Sequence, residues 1–353
     1  MPRSNSPPSG TEINRRGLLK LLGAGAGALG LGAAFRNAKA ETISSALASA
    51  PGGVDRNYYI AAEEGEWDYA PGGIDRTTGG KIPSPWTRYT KWTKTRYVEY
   101  TDGTFLYRKP QPSWLGVLGP LIRAEVGDTI YVHFKNRSSM PCSMHPHGVR
   151  YEKHSEGAFY ADGGAGGYIE PGEDFTYVWH ADEGSGPGPS DPSSIVWWYH
   201  SHVNEPHETN AGLLGPIVIT AAGMANPDAT PADVDREFVL SFFVYDEDAG
   251  RERGLMHAIN GYIFANVPGL EMNDGERVRW YVLGMGNEID LHTCHWHGKT
   301  VLVEGRRTDV IELIPGSMMT ADMKADNPGV WLIHCHTADH IHAGMLALYR
   351  IEP

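Results

Sequence analysis

One ordered set of motifs occurs twice along this 353-residue chain, and this repetition constrains the fold more than any other feature. The first copy runs through Gly127-Asp128, the segment 129–134, His145-Pro146-His147-Gly148, Pro171-Gly172, His200-Ser201-His202 and Ala211-Gly212-Leu213-Leu214. The second copy runs through Gly275-Glu276, the segment 277–282, His295-Trp296-His297-Gly298, Pro315-Gly316, His334-Cys335-His336 and Ala343-Gly344-Met345-Leu346. A shared order of motifs with different loop lengths predicts two domains of one fold.

The local sequence pattern predicts β-structure. The segments 129–134 and 277–282 alternate along the chain with period two and are bounded by turn residues, which is typical of strands. The chain also contains 43 glycines, 24 prolines and ten tryptophans, a composition that favours turns and packed sheets over helices. We therefore predict an all-β protein of two β-sandwich domains, residues 41–222 and 223–353, with a linker at residues 221–227.

Residues 1–40 have the features of an export signal. A charged segment with Arg15-Arg16 precedes an Ala/Gly/Leu run and the small-x-small motif Ala38-Lys39-Ala40. The paired arginines resemble a twin-arginine signal, which predicts export to the periplasm or the medium. The apolar run is too short and too weakly apolar for a transmembrane helix, so we expect no membrane span in the mature protein.

The charge of the chain excludes some partners. Its formal net charge is −13. A body this acidic argues against binding to nucleic acid or to an anionic membrane surface through charge.

Histidine spacing predicts a metal site. The chain contains 16 histidines, and five His-x-His pairs occur where chance predicts about one. Residues i and i+2 of a strand share a face, so each pair can direct two imidazoles to one place. Four pairs occupy equivalent positions in the two copies: His145/His147, His200/His202, His295/His297 and His334/His336.

Cys335 narrows the choice of metal. Between His334 and His336 it points to the opposite strand face, and His292, three residues before His295, also points away from its neighbouring pair. Together with His340 and the downstream Met345, these residues form the His₂Cys set with a weak Met that is typical of blue copper. The first copy has Ser201, Cys142 and Leu213 in the places of Cys335, His292 and Met345, so we expect no blue copper there.

With these residues, the chain from about residue 58 to 353 resembles the multicopper oxidases, and in particular the bacterial two-domain small laccases. The segment His334 to Met345, with the three other His-x-His pairs, carries this resemblance. Other stretches resemble ceruloplasmin and hephaestin, among them 122–128, 191–200 and 257–262. The resemblance implies two cupredoxin domains, four copper ions per subunit and reduction of O₂ to water with electrons from a one-electron reductant.

The resemblance also assigns the ligands. The type 1 copper takes His292, Cys335, His340 and Met345, and the type 2 copper takes His145 and His295. The type 3 pair takes His147, His200, His202, His297, His334 and His336. Tyr151 matches a tyrosine beside the cluster in small laccases, and Glu156 matches a carboxylate that supplies protons.

The reductant stays open between two classes. Small laccases imply phenols and aromatic amines, whereas ceruloplasmin-like proteins imply Fe(II) or Cu(I). Asp339, directly before His340, matches an iron-binding carboxylate of the second class, and Glu247 matches another. The histidine that should follow Glu247 is missing, and Glu252 stands nearby in its place.

The resemblance further implies a homotrimer. A complete trinuclear cluster in the family lies between a domain that lacks type 1 copper and one that has it, in a closed ring of six domains. Three two-domain chains supply that ring, so His145, His147, His200 and His202 of one subunit should meet the second set of the next subunit. Cys142 and Cys294, beside the two type 2 ligands, are expected either as an intersubunit disulfide or as two buried free thiols.

Two rival functions fit the residues less well. Copper nitrite reductase also has two cupredoxin domains, but its catalytic copper needs only three histidines and its blue copper lies in the first domain. A copper-binding protein without catalysis is the other rival, and O₂ uptake separates it from an oxidase.

Overall fold

The computed structural model describes residues 53–161 and 164–353, and the predicted export signal at residues 1–40 lies outside them. The first half of the described chain contains β1 (Asp55–Asp68), β2 (Lys91–Tyr100), β3 (Ile122–Glu125), β4 (Thr129–Asn136), β5 (His145–Pro146), β6 (Arg150–Tyr151), β7 (Asp174–His180), β8 (Ser194–His200), α1 (Glu205–Ala211) and β9 (Leu214–Thr220). These strands form two sheets, ordered β2-β1-β4-β7-β6 and β3-β9-β8-β5.

The second half repeats this arrangement. It contains β10 (Arg236–Asp246), β11 (Leu255–Ile259), β12 (Glu271–Asn273), β13 (Arg277–Gly284), β14 (His292–Trp296), β15 (Val301–Val303), β16 (Arg306–Thr308), β17 (Val310–Leu313), β18 (Met318–Lys324), β19 (Gly329–Cys335), α2 (Ala338–His342) and β20 (Leu346–Glu352). Its two sheets are ordered β11-β10-β13-β18-β15-β16 and β12-β20-β19-β14-β17.

Strand pairing shows that the two halves share one topology. The first strand of each half pairs in parallel with the fourth, β1 with β4 and β10 with β13. The third strand of each half pairs in parallel with the last, β3 with β9 and β12 with β20. The prediction of an all-β fold with two like domains is confirmed, and the predicted linker lies between the end of β9 and the start of β10.

The burial of the two faces of a strand explains where apolar and polar residues alternate along it. In β4, Ile130, Val132 and Phe134 are buried on one face, as the alternating pattern predicts. In β13, both faces are buried: Trp280 lies in the core of the second sandwich, and Tyr281 packs with residues of both halves. That shared core includes Trp198 of β8 and Phe243 of β10, so the two sandwiches are joined by apolar contact.

Helices form only a small part of the described fold. Beyond α1 and α2, the described residues contain short 3₁₀ turns at Trp86–Arg88, Ser113–Leu115, Lys153–Ser155 and Glu252–Gly254. Neither helix of this part of the chain is long and apolar enough to cross a membrane.

Candidate copper centres

Strand register brings the histidine pairs together. In the first domain β5 pairs antiparallel with β8, and His145 lies opposite His200. In the second domain β14 pairs antiparallel with β19, and His295 lies opposite His334. His147, His297 and His336 directly follow their strands, and His202 lies two residues after the end of β8. Each strand pairing therefore brings four imidazoles together.

The predicted blue-copper residues form a compact buried group. The Sγ atom of Cys335 lies 3.5 Å from Nδ1 of His340 and 4.0 Å from Nδ1 of His292, and the two Nδ1 atoms are 3.0 Å apart. All three side chains are buried, as is Met345. The Met345 N–H donates to the His340 carbonyl at 2.9 Å, and its own carbonyl accepts the Cys335 N–H at 3.1 Å, which fixes Met345 beside the set.

The sulfur of Cys335 is suited to a soft metal. Burial raises the pKa of this thiol, but hydrogen bonds with His292, His340 and Thr337 outweigh burial and lower it to about 5. The Thr337 N–H donates to the sulfur at 3.4 Å. A thiolate with two imidazoles and a thioether is a donor set that fits copper.

Asp290 orients one of these ligands. Its Oδ1 lies 3.0 Å from Nε2 of His292 and also accepts the Val244 N–H at 2.7 Å. The carboxylate is completely buried. Holding Nε2 in this way leaves Nδ1 of His292 directed at the metal position, which is how protein metal sites usually fix a histidine.

The first domain gathers its four histidines into one set, His145, His147, His200 and His202. The ring of His145 lies 5.1–5.5 Å from the other three, measured between centroids. Nε2 of His147 and Nε2 of His200 are 3.0 Å apart. Burial lowers the pKa of both of these residues to about 4, so their imidazoles are neutral near pH 7 and can bind a metal.

The second domain gathers a matching set, His295, His297, His334 and His336. The ring of His295 lies 4.9–5.4 Å from the other three. Nε2 of His297 and Nε2 of His334 are again 3.0 Å apart. The repeated His-x-His motifs therefore form two histidine sets of similar geometry.

The two sets stay apart within the chain. Across residues 53–161 and 164–353, the ring contacts and ligand-atom groups among these eight histidines join members of one set only. Each set alone offers half of the eight imidazoles that the resemblance assigns to a trinuclear cluster. His297 and His336 are exposed, which leaves the second set open to another molecule.

Backbone carbonyls orient the outer histidine of each set. Nδ1 of His145 lies 2.6 Å from the Glu156 carbonyl oxygen, and Nδ1 of His295 lies 3.0 Å from that of Asp309. Nδ1 of His200 and of His334 are bonded in the same way to the carbonyls of Ser201 and Cys335, at 2.9 and 2.7 Å. These carbonyl partners were missed at the sequence level, because every residue carries a carbonyl and none is marked by its side chain.

The three residues predicted to assist catalysis occupy different positions. The Tyr151 ring lies 6.0 Å from the His145 ring, beside the first histidine set. The Glu156 carboxylate pairs with Lys153 and accepts the Tyr160 hydroxyl hydrogen at 2.9 Å, so only its backbone carbonyl contacts His145. Asp339 is exposed at the start of α2, next to the buried His340.

The second carboxylate considered for iron is already engaged. Glu247 forms a buried ion pair with Lys94 at 2.5 Å and accepts the Tyr69 hydroxyl hydrogen at 2.5 Å. The ammonium of Lys94 therefore already neutralises this carboxylate. Glu252 lies on an exposed 3₁₀ turn.

Cys142 and Cys294 are both free and fully buried. They lie in the separate hydrophobic cores of the two sandwiches. Burial raises the pKa of Cys142 to about 12. Buried, protonated thiols of this kind favour the second alternative, two free cysteines without a disulfide.

Comparison with known proteins identifies the family. Two family models, both described as multicopper oxidase, match residues 97–223 and 243–353. The chain belongs to the multicopper oxidase family, as its copper-ligand motifs predict.

Several curated relatives are similar over most of the chain. The ferroxidase HEPHL1 of Homo sapiens is 40% identical, covering 87% of this chain and 30% of that protein. Human hephaestin is 40% identical over 84% of this chain and 28% of its own length, and human ceruloplasmin is 34% identical over 84% and 32%. The chain thus spans about three-tenths of the length of these relatives.

Solved structures share the fold. A crystal structure of a multicopper oxidase matches with a TM-score of 0.61 at 20% identity, covering 84% of this chain and 89% of that one. The blue copper oxidase of Nitrosomonas europaea matches with a TM-score of 0.59 at 21% identity, over 84% and 86%. The two like sandwiches are therefore cupredoxin domains.

Proposed function

We propose that this protein is an oxidase that takes single electrons from an external reductant and uses four of them to reduce O₂ to water. The observation that carries the proposal is the segment His334-Cys335-His336. It joins the buried thiolate group on one strand face to the open histidine set on the other. Copper bound at these positions would supply one-electron transfer at the thiolate group and O₂ reduction at the histidine sets.

Contacts within the chain provide a short route between the two groups. The Cys335 sulfur belongs to the buried group, and its backbone carbonyl accepts a hydrogen bond from the His334 ring at 2.7 Å. An electron can therefore pass from Cys335 to His334 through covalent bonds and one hydrogen bond. Ser201 and His200 have the same backbone contact in the first domain, but no thiolate stands there.

The proposed copper content is four ions per subunit. One type 1 ion would be held by His292, Cys335, His340 and Met345. The type 2 ion would be held by His145 and His295, and the type 3 pair by His147, His200, His202, His297, His334 and His336. Tyr151 and Glu156 are proposed to assist at the first set, Tyr151 beside the His145 ring and Glu156 as a carboxylate that supplies protons.

The separation of the two histidine sets supports a homotrimer with clusters between subunits. One set must meet its complement in another copy, and a head-to-tail contact of this kind has to close into a ring to avoid a filament. Three copies, each matching about three-tenths of a curated relative, amount to roughly one relative in length. Exposed aromatic residues beside the first set, Phe159, Tyr160 and Tyr168, suit such a contact.

Two classes of reductant remain proposals. Phenols and aromatic amines follow from the resemblance to small laccases. Fe(II) or Cu(I) is favoured by the relatives, one of which is named a ferroxidase, and Asp339 lies exposed beside His340 to receive a cation. The Lys94–Glu247 ion pair counts against an iron site with two carboxylates. Export by the signal at residues 1–40 would place the enzyme in the periplasm or the medium.

Steady-state O₂ consumption tests the function and the reductant together. Copper-loaded protein is given 2,6-dimethoxyphenol, Fe(II) or Cu(I), with copper-free protein as the background for each. We expect four reducing equivalents per O₂ with at least one reductant and no accumulated peroxide. Copper binding without O₂ uptake from any of the three would indicate a storage protein and contradict the proposal.

The variant Cys335→Ser tests the electron entry site. It removes the soft thiolate while leaving both histidine sets intact, so blue absorption and turnover should disappear while copper still binds at the histidine sets. Cys142→Ser, a change of the same kind at a buried thiol in the core of the other sandwich, is the control. Retained turnover in Cys335→Ser would remove Cys335 from the electron path.

A further inference from the structure

The first domain retains the framework of the blue-copper group without its ligands. The Ser201 N–H donates to the Leu213 carbonyl at 3.0 Å, and the Leu213 N–H donates to the Glu208 carbonyl at 2.9 Å. The matching bonds of the second domain run from Cys335 to Met345 at 3.1 Å and from Met345 to His340 at 2.9 Å. Glu208 therefore stands where the ligand His340 stands.

The Glu208 side chain is buried and fully engaged. Only 2% of the residue is exposed. One carboxylate oxygen accepts the Val203 N–H at 3.0 Å, the other accepts the Asn204 N–H at 2.9 Å, and Ser201 is a further hydrogen-bond partner. No Lys or Arg is paired with it among the described residues, so these backbone groups are what compensate its charge.

The same backbone position is held differently in the second domain. There the N–H two residues after Cys335, that of Thr337, donates to the Cys335 sulfur at 3.4 Å. In the first domain the N–H two residues after Ser201, that of Val203, donates to the Glu208 carboxylate instead. The Glu208 carboxylate of the first domain thus accepts the hydrogen bond that the Cys335 sulfur accepts at the equivalent point of the second domain.

The hydrogen bonds to Glu208 affect the position of His202, because Val203 and Asn204 directly follow it. His200 lies two residues before His202. The His202 N–H is itself fixed by the Ser143 hydroxyl at 3.0 Å. In the second domain the blue-copper ligands can order the loop after His336, but the first domain has no such ligand group. We propose that Glu208 is a positioning residue, whose carboxylate takes the role of the thiolate group of the second domain: it holds the loop directly after His202 and so fixes His202 and the end of β8 at His200.

This inference rests on the proposed function, because it takes His200 and His202 to be copper ligands. The role of Glu208 in holding the loop can also be tested separately, in the copper-free chain. If Glu208 holds the loop, the loop should loosen without Glu208 even when no copper is present. Loss of the proposed oxidase activity alone would not decide the matter.

The test is hydrogen–deuterium exchange on copper-free Glu208→Gln, with Glu183→Gln as the control. Gln has the same size but replaces one accepting oxygen with an NH₂ group, so one of the Val203 and Asn204 amides loses its acceptor. We expect exchange in the segment 201–212 to be about tenfold faster than in the wild type. Glu183 is an exposed residue of the same domain, and its variant should exchange like the wild type.

Copper spectroscopy gives the second readout. In Glu208→Gln the blue absorption of the second domain should remain at full intensity, while the type 2 and type 3 signals fall because the first histidine set is no longer ordered. Ser201→Ala, which removes one hydrogen bond to Glu208, should cause a smaller change in the same direction. This variant replaces Glu208→Gln in both measurements if Glu208→Gln does not fold. Wild-type exchange together with full type 2 and type 3 signals in both variants would overturn the proposal. Loosened exchange in a protein that proves to be no oxidase would leave the positioning role intact and contradict only the function.

Discussion

At the scale of single residues, Asp290 determines which nitrogen of His292 is free for a metal. Its carboxylate accepts from the Val244 and Asn287 N–H groups as well as contacting His292, so it is fixed from three sides. We expect Asp290→Asn to lower the affinity of the type 1 position for copper about 10- to 100-fold, which is typical for the loss of such a partner. Copper titration followed by blue absorption measures it.

Asp309→Asn is the matched control for Asp290→Asn. The Asp309 backbone carbonyl, which the substitution keeps, lies 3.0 Å from Nδ1 of His295, and its carboxylate lies 3.9 Å from the same nitrogen. His295 is not one of the type 1 residues. The control should therefore bind copper close to normally. Equal affinity in the two variants would show that the Asp290 carboxylate does not orient His292.

The contrast between these residues shows what sequence alone could reveal about the site. The histidines and Cys335 could be predicted because strand period fixes which side chains share a face. Asp290 lies in the turn before β14, and only its spacing of two residues from His292 could have suggested it. The Glu156 and Asp309 carbonyls and the Glu208 carboxylate could not be predicted, because their roles depend on backbone positions set by the folded loops.

At the scale of strands, alternation predicted β4 and β13, although both faces of β13 are buried. The neighbouring β10 is a nearly continuous apolar run, and its length gives no period by which to recognise it. It is buried on both faces because Phe238 and Leu240 enter one core while Val239 and Phe243 enter the shared core. The contact between sandwiches is therefore the part of the fold that local pattern could not predict.

An ion pair ties β10 to the turn before β13. Arg236 binds both carboxylate oxygens of Glu276, at 2.7 and 2.8 Å, and this hydrogen bonding lowers the pKa of Glu276 to about 2. Because the pKa is lower in the folded than in the unfolded state, the pair stabilises the fold above about pH 4.5, and its contribution is lost as pH falls toward 2. Partial exposure of Arg236 limits the effect to about 1 kcal/mol.

Glu276→Gln should therefore lower the free energy of unfolding of the copper-free protein by about 1 kcal/mol at pH 7, and by clearly less at pH 3. Urea unfolding at the two pH values measures the difference. Glu66→Gln, which breaks the exposed pair with Lys91, should leave stability nearly unchanged at both. A loss from Glu276→Gln that is equally large at both pH values would mean that the ion pair is not its cause.

At the scale of the whole molecule, each chain carries two histidine sets that do not meet among the described residues, and the proposed function makes each set one half-site of a copper cluster. Carbonyl contacts orient histidines in both half-sites, but the first is partly buried, whereas the second has exposed rings at His297 and His336. In a monomer the eight imidazoles would stay in two separate groups of four. Assembly is what would join them, so catalysis and oligomeric state should be lost together.

Mixing two inactive variants tests this assembly. His145→Ala/His147→Ala destroys the first half-site, and His295→Ala/His297→Ala destroys the second, while both leave the type 1 residues intact and should stay blue. If clusters form between subunits, every mixed trimer contains one interface with two intact half-sites. Random assembly makes three quarters of the trimers mixed, each with one of three clusters, so about a quarter of wild-type activity should return. If each cluster forms within one chain, both variants lack it and co-expression restores nothing. Light scattering on the same samples must then show a trimer, because recovered activity in a monomer would be inconsistent with sharing between subunits.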